Sequence, residues 1–113
     1  MSYDLMQELA AKTAQLDTSV KMLRKTGSEY AEAERAYKVL LAREAVKLRD
    51  EGMAIGMIDK VIYGLKEVSD ARFKRDIAEV TYKANQESIN SLKLQMRLIE
   101  SQIGREWGQA KNA

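Results

Sequence analysis

The sequence contains no cysteine, no proline and no histidine. Without cysteine the chain forms no disulfide. Without cysteine and histidine, the Ser–His and Cys–His nucleophile systems and the common zinc sites are excluded. Without proline, no residue is obliged to break a helix. We therefore expect an all-helical protein that is not an enzyme, with no cofactor and no metal site.

The charge balance gives no indication of a charged partner. The 113 residues carry a net charge of only +2, which is too small to indicate nucleic acid or an anionic membrane. No apolar run has the length of a bilayer-spanning helix, and the first eight residues lack the basic and apolar segments of a secretory signal. We expect one domain in the cytoplasm, with no membrane contact.

The first half of the chain has the periodicity of one long helix. Apolar side chains recur at intervals of three and four residues, which places them on one helix face. The pattern predicts a helix over 3–51. Its face comprises Leu5, Leu9, Thr13, Leu16, Val20, Leu23, Tyr30, Ala33, Tyr37, Leu41, Ala45 and Leu48.

The segment 26–28 is the one weak point of this helix, and it has two interpretations. Gly27 follows Arg24 and Lys25, as a glycine that ends a helix often does, and Thr26 with Glu29 matches a capping box that would begin a new one. Alternatively, Gly27 is helical at a cost of about 1 kcal/mol relative to alanine. The apolar spacing keeps its phase across the segment, which favours one continuous, locally weakened helix.

A connector and a second long helix follow. Gly52 suits the left-handed residue that ends a helix, and it begins a connector over 52–64 that contains a short helix. The second helix is predicted over 65–107, with a tail over 108–113. Its predicted face comprises Phe73, Ile77, Val80, Ala84, Ser88, Leu92, Met96, Ile99, Ile103 and Trp107. A second apolar set comprises Tyr82, Ile89, Leu94 and Leu98.

These elements predict an all-α fold, a long antiparallel helical hairpin of coiled-coil type with a short connector helix. A short connection makes neighbouring helices antiparallel. Two helices bury only the faces that they turn to each other, so the second apolar set stays uncovered within one chain. A symmetric dimer with four helices would cover it, and we expect a homodimer or higher homo-oligomer.

Apolar side chains are concentrated in the connector. Met53, Ile55, Met57, Ile58 and Ile62 crowd a short segment, and flexible methionines suit adaptable recognition surfaces. The alternative is a plug that closes the end of the hairpin. Trp107 belongs to the opposite end, where an exposed tryptophan would be a binding residue and a packed one would seal the helix pair.

A set of basic residues supports a different hypothesis. The second helix carries Arg72, Arg75, Lys83, Lys93 and Arg97 on broadly one side, interrupted by acids. Such residues can neutralise phosphates, which makes nucleic-acid contact a possible role. Mixed charge is also typical of an ordinary solvated helix face, and no aromatic residues are interleaved with the basic ones to stack on bases.

Four segments carry a family resemblance: 29–34 (EYAEAE), 48–53 (LRDEGM), 72–79 (RFKRDIAE) and 102–107 (QIGREW). Over roughly residues 22–108 the chain resembles small helical proteins encoded by temperate phages and prophages of Gram-positive bacteria. The functions of those proteins are generally unassigned, so no functional residue can be transferred. The resemblance implies a viral protein that acts in the cytoplasm of the host cell.

Two functions are consistent with these patterns. In the first, the protein associates with itself and binds a host or phage protein, so that it scaffolds a phage complex or inhibits a host enzyme or defence component. In the second, it is an accessory nucleic-acid-binding protein in phage replication or recombination. The low net charge and the lack of interleaved aromatic residues favour the first.

Overall fold

A computed structural model describes the backbone of residues 2–112 and the side chains of residues 3–109. Of the described residues, 95% are helical and none belongs to a strand. None of the described helices is long and apolar enough to cross a bilayer. The all-α hairpin prediction is confirmed. The elements are α1 (Ser2–Asp50), α2 (Ile55–Val61), a 3₁₀ turn (Ile62–Gly64) and α3 (Lys66–Asn112).

The boundaries differ from the predicted ones mainly at the C-terminus. Helix α3 continues to Asn112, so residues 108–112 are helical where we predicted a tail; Ala113 lies outside the described residues. Helix α1 runs without interruption through 26–28, so the prediction of one helix is confirmed there. The alternative, in which Thr26 begins a new helix, is wrong.

Gly52 ends α1 as its sequence position predicts. Its φ of 93° is the only positive φ among the described residues, and it turns the chain into the left-handed region. The amide of Gly52 donates to the carbonyl of Arg49, and the amide of Met53 donates to that of Leu48. These two bonds satisfy carbonyl groups at the helix end in the pattern of a Schellman motif. The reversal of the chain is therefore set by local backbone bonding.

The chain divides into two compact units. The terminal unit combines the residues up to Lys25 with those from Lys83 onward, and the connector unit is Thr26–Tyr82. In the terminal unit Ser19 pairs with Ser88 and Asn85. In the connector unit Tyr30 pairs with Glu79, and Glu34 with Arg75. In each unit the earlier α1 residue meets the later α3 residue, so α1 and α3 are antiparallel.

The connector unit contains a core built around the chain reversal. Helix α1 contributes Tyr37 and Leu48, the connector Ile58 and Ile62, and α3 Val68. Val68 is the only large side chain in the described part of the structure that is fully buried. The connector thus packs two isoleucines, Ile58 of α2 and Ile62 of the 3₁₀ turn, against both long helices.

The predicted inner face of α3 is correct in one half and wrong in the other. Leu92, Met96, Ile99 and Ile103 are buried or half-buried, as predicted. Phe73, Ile77, Val80, Ala84, Ser88 and Trp107 are exposed instead. The residues that face α1 in their place are Ala71, Arg75, Ala78, Tyr82, Asn85 and Ile89. Of the second apolar set, Tyr82 and Ile89 therefore face inward and only Leu94 and Leu98 face outward.

The physical reason lies in the opposing side chains of α1. Tyr37 is buried and Tyr30 half-buried, so α1 presents two bulky rings to α3. Ala71 packs against the core that contains Tyr37 and provides room there, because close packing requires large residues to face small ones. Arg75 is retained inside since its guanidinium lies over the Tyr37 ring, 4.8 Å from the centroid. The apolar pattern of α3 alone does not contain this information.

The terminal unit shows a similar correction on α1. Thr13 and Val20, which we predicted on the inner face, are exposed, and Lys12 and Ser19 take their places. The Nδ2 of Asn85 donates to the backbone oxygen of Ser19 at 2.9 Å, which satisfies polar groups at this contact. The contact between α1 and α3 is thus partly polar in this unit.

Gly27 provides space for the Tyr82 ring. A Cβ atom at position 27 would lie 3.1 Å from Cε1 of Tyr82, closer than an ordinary van der Waals contact. The Tyr82 ring is also held by Tyr30, whose ring centroid is 5.9 Å away. Glycine inside α1 thus lowers helix propensity but lets the two helices approach.

We predict that Gly27→Ala changes the free energy of unfolding by less than about 0.5 kcal/mol, because crowding against Tyr82 offsets the gain of about 1 kcal/mol in helix propensity. In a Tyr82→Ala background the same substitution should stabilise the protein by about 1 kcal/mol. Urea denaturation of the four variants gives both values. An equal gain in the two backgrounds would contradict the role assigned to the ring.

We predict that Ile62→Ala costs about 2–5 kcal/mol of unfolding free energy, since it removes a buried side chain from the core of the connector unit. Ile55→Ala is the matched control in the same connector: Ile55 is exposed, and its truncation should change stability by about 0.5 kcal/mol at most. Similar destabilisation by the two variants, measured by urea denaturation, would show that the connector does not pack as described.

Candidate protein-binding surfaces

The connector presents an apolar outer surface, which we call the connector surface and define as Ile55, Met57 and Tyr63. These side chains are 64%, 49% and 46% exposed, respectively. All three come from α2 and the 3₁₀ turn. All three lie within nine positions of the chain, and Ile55 and Met57, two residues apart in α2, project in different directions from that helix.

The other predicted connector residues lie inside. Ile58 and Ile62 are buried and Met53 is half-buried, all packed in the core of the connector unit. The prediction that they contact a partner is therefore corrected for Ile58 and Ile62, because a protein bound at the surface cannot reach them. The connector is both a plug and an exposed apolar surface. Ile58 and Ile62 anchor it, whereas Ile55, Met57 and Tyr63 face solvent.

Arg72 lies beside the connector surface. Its guanidinium carbon is 5.5 Å from the centroid of the Tyr63 ring, within the range of a cation–π contact. The contact links the first turns of α3 to the 3₁₀ turn. It gives the connector surface a positive charge at the edge of an apolar patch.

A second exposed apolar surface, the α3 ridge, consists of Phe73, Ile77 and Val80. These side chains are 68%, 51% and 64% exposed. Their spacing of four and three residues places them on one side of α3. The apolar spacing of the sequence predicts these three residues on the inner face, and their exposure shows that this prediction is wrong. The signal that could have revealed it is the equally regular spacing of residues 71, 75, 78 and 82 on the other face.

A shallow groove of about 660 Å³ runs beside the α3 ridge in the connector unit. Four alanines from both helices line it, Ala33, Ala36, Ala71 and Ala78, with Ile77 at its edge. Glu29, Glu32 and Lys74 also contribute to its walls. Small side chains allow a helix to approach closely, so the groove has the composition of a helix-docking surface.

A polar network holds the opposite side of the α1–α3 contact. The Oη of Tyr30 donates to Glu79 at 2.7 Å, and Nη1 of Arg75 donates to Glu34 at 3.2 Å. The Nε of Arg75 donates to Asp76 at 2.7 Å. Arg75 is therefore engaged by two carboxylates and a tyrosine ring, and it does not lie on a solvated basic face as the sequence suggested.

The hydrogen bond from Tyr30 to Glu79 raises the pKa of the tyrosine from 10.0 to about 12, with a smaller contribution from burial. A phenol that donates to a carboxylate loses that bond when it ionises, and the new charge would repel Glu79. Because the folded-state pKa lies above the unfolded one, the stabilisation is complete below about pH 10 and is lost as the pH rises towards about 12.

We predict that a spectrophotometric titration shows one of the five tyrosines ionising near pH 12. Tyr30→Phe should abolish this late transition and flatten the loss of thermal stability at alkaline pH. Tyr63→Phe is the control, since Tyr63 takes no part in the network, and it should retain the late transition. If Tyr30→Phe leaves the titration unchanged, the hydrogen bond to Glu79 does not form in solution.

The remaining predicted basic residues belong to the terminal unit. Lys83, Lys93 and Arg97 are exposed there, and the last two lie at a groove with Leu16, Met96 and Glu100. Arg72 and Arg75 belong to the connector unit, where each contacts a tyrosine ring. Arg75 is engaged in ion pairs with Glu34 and Asp76.

The terminal unit also exposes aromatic and apolar side chains. Trp107 is exposed on α3, and Tyr3 and Met6 are exposed on α1. The prediction that Trp107 packs on the inner face is wrong, which leaves its role as a binding residue untested. Leu94 and Leu98 are exposed on the same helix as Trp107. A groove lined by Lys12, Ser19, Ser88 and Gln95, among others, also belongs to this unit.

The described residues contain no group of three or more acidic side chains placed to hold a metal ion. Besides Tyr37, Thr26 is the only buried residue with a polar side chain among them. Comparison with protein families, with curated proteins and with solved structures found no match for this chain.

Proposed function

We propose that the protein is a phage-encoded, non-enzymatic protein-binding module that acts in the host cytoplasm. It associates with itself and binds a host or phage protein through the connector surface, with Trp107 as a further contact. In doing so it scaffolds a phage complex or inhibits a host enzyme or defence component. The viral setting rests on the sequence resemblance, and the binding role rests on the surfaces of the connector unit.

The exposure of Ile55 and Met57 on a well-anchored connector is the observation that carries the proposal. Both side chains project from α2, whose Ile58 is buried in the core between the long helices. A surface whose backbone is already ordered loses little conformational entropy on binding. The flexible Met57 side chain allows the surface to adjust to the partner.

The lack of histidine and cysteine in the sequence supports a non-enzymatic role. The acidic and basic side chains form ion pairs along the helices, such as Lys21 with Asp17 and Arg35 with Glu32. Pairs of this kind are typical of solvated helices. A protein of this composition acts through the surfaces that it presents.

Nucleic-acid binding is the competing function, with Arg72, Lys83, Lys93 and Arg97 as contacts. The ion pairs of Arg75 with Glu34 and Asp76 weigh against it, since they occupy one of the five predicted cations. The net charge of +2 weighs against it as well. Binding to DNA that falls steeply with salt concentration would favour it over protein binding.

We predict that an Ile55→Asp, Met57→Asp variant stays folded and keeps its oligomeric state but loses its protein partner. The two new carboxylates would lie at solvent-exposed positions, so they disrupt an apolar contact without harming the core. The measurement is affinity capture from host lysate, followed by reconstitution of the complex with the purified partner. Circular dichroism and sedimentation check the fold and the association of the variant.

Val39→Asp is the matched control, because Val39 is equally exposed on α1 of the same unit. It should bind the partner as the unmodified protein does. Ile58→Asp should lower the melting temperature sharply, since it buries an unpaired carboxylate. Undiminished partner binding by the Ile55→Asp, Met57→Asp variant would remove the connector surface from the proposal. Steep, salt-sensitive DNA binding in place of protein capture would replace the proposal with the competing function.

A further inference from the structure

The α3 ridge is an apolar surface that the connector surface does not include. Its side chains, Phe73, Ile77 and Val80, are 68%, 51% and 64% exposed. Removing apolar side chains of this kind from water is the main favourable contribution to protein association.

Within the connector unit, the large side chains of the ridge lie beside the small side chains of the groove. Phe73, Ile77 and Val80 project from α3, and the alanines beside them leave a depression of about 660 Å³. One helix therefore offers large side chains next to a surface of small ones. Helices pack by inserting the ridge of one into the groove of the other.

This pairing is suited to a second copy of the same chain. In a two-fold symmetric interface the same patch occurs on both molecules, so each ridge meets the partner's groove. A single chain cannot achieve this, because its own ridge and groove lie side by side on one surface. The charges at the groove are of both signs, Glu29 and Glu32 with Lys74, so the patch does not repel its own copy.

The other surfaces of the connector unit are less suitable. On the opposite side, the groove beside Tyr30 and Tyr82 is bordered by Glu34, Arg35 and Lys38. Of the exposed valines of α1, Val39 lines this groove and Val46 does not. The groove therefore has one exposed large apolar side chain beside it, whereas the α3 ridge has three.

We propose that two copies of the chain associate through the α3 ridge, with Phe73, Ile77 and Val80 of each copy entering the alanine groove of the other. The inference rests on the self-association in the proposed function and specifies the surface that mediates it. It assigns self-association to the α3 ridge and leaves the connector surface for a different protein.

Sedimentation equilibrium over a concentration series tests the inference on the full chain. The unmodified protein should be a dimer, and the Phe73→Glu, Val80→Glu variant should dimerise about 30-fold more weakly or not at all, the effect expected from losing interface anchor residues. Val39→Glu, Val46→Glu is the matched control, since it places the same two charges at exposed valines of the same unit, and it should not change dimerisation.

Cross-linking provides a second measurement that does not depend on the stability of the charged variant. The chain has no cysteine, so a single introduced thiol is the only thiol that can react with the cross-linker. With a short bismaleimide, Ile77→Cys should give covalent dimers and Val39→Cys should not. A monomeric unmodified protein would overturn the inference. Equal cross-linking at the two positions, or full dimerisation of the folded Phe73→Glu, Val80→Glu variant, would overturn it too.

The outcomes separate this inference from the binding of a partner protein. If the chain dimerises through the ridge but captures no protein, the partner-binding part of the proposed function fails and the inference stands. If the chain is a monomer whose partner binding depends on Phe73 and Val80, the ridge is the docking surface of a different protein and the inference fails. If dimers persist without the ridge, another surface of the chain mediates self-association.

Discussion

Two tyrosines of α1 determine what can face them on α3. Tyr37 is buried and Tyr30 is half-buried. The guanidinium of Arg75 lies over the Tyr37 ring, and the hydroxyl of Tyr30 donates to the carboxylate of Glu79. A ring of this size needs a small or complementary neighbour, because helix contacts are close-packed. The inner face of α3 in the connector unit therefore combines alanine, arginine and tyrosine, although this helix has a more apolar face available.

The exposed surfaces of the protein follow from this constraint. Because the inner positions of α3 are occupied by small and polar residues, Phe73, Ile77 and Val80 face solvent. The energy of burying these side chains within the chain is only partly realised, and each would contribute about 1–2 kcal/mol more if a second molecule covered its exposed part. The packing that satisfies Tyr30 and Tyr37 thus leaves a surface suited to association.

The connector shows the same division between anchoring and exposed residues on a smaller scale. Gly52 closes α1 with two backbone hydrogen bonds, and the chain then returns through α2 with Ile58 in the core. Short helices are unstable alone, so α2 depends on this packing. Because seven residues form only two turns, the core covers one side of α2 and leaves Ile55 and Met57 exposed.

The sequence by itself determined the helical class, the continuity of α1 and the turn at Gly52. These depend on local hydrogen bonds, on helical periodicity and on the lack of proline, which nearby residues specify. Only the tertiary structure decided which face of α3 meets α1 and which connector side chains are buried. That choice depends on the fit between residues such as Tyr37 and Arg75, far apart in sequence, and a count of apolar residues on one helix does not include the shape and charge of the other.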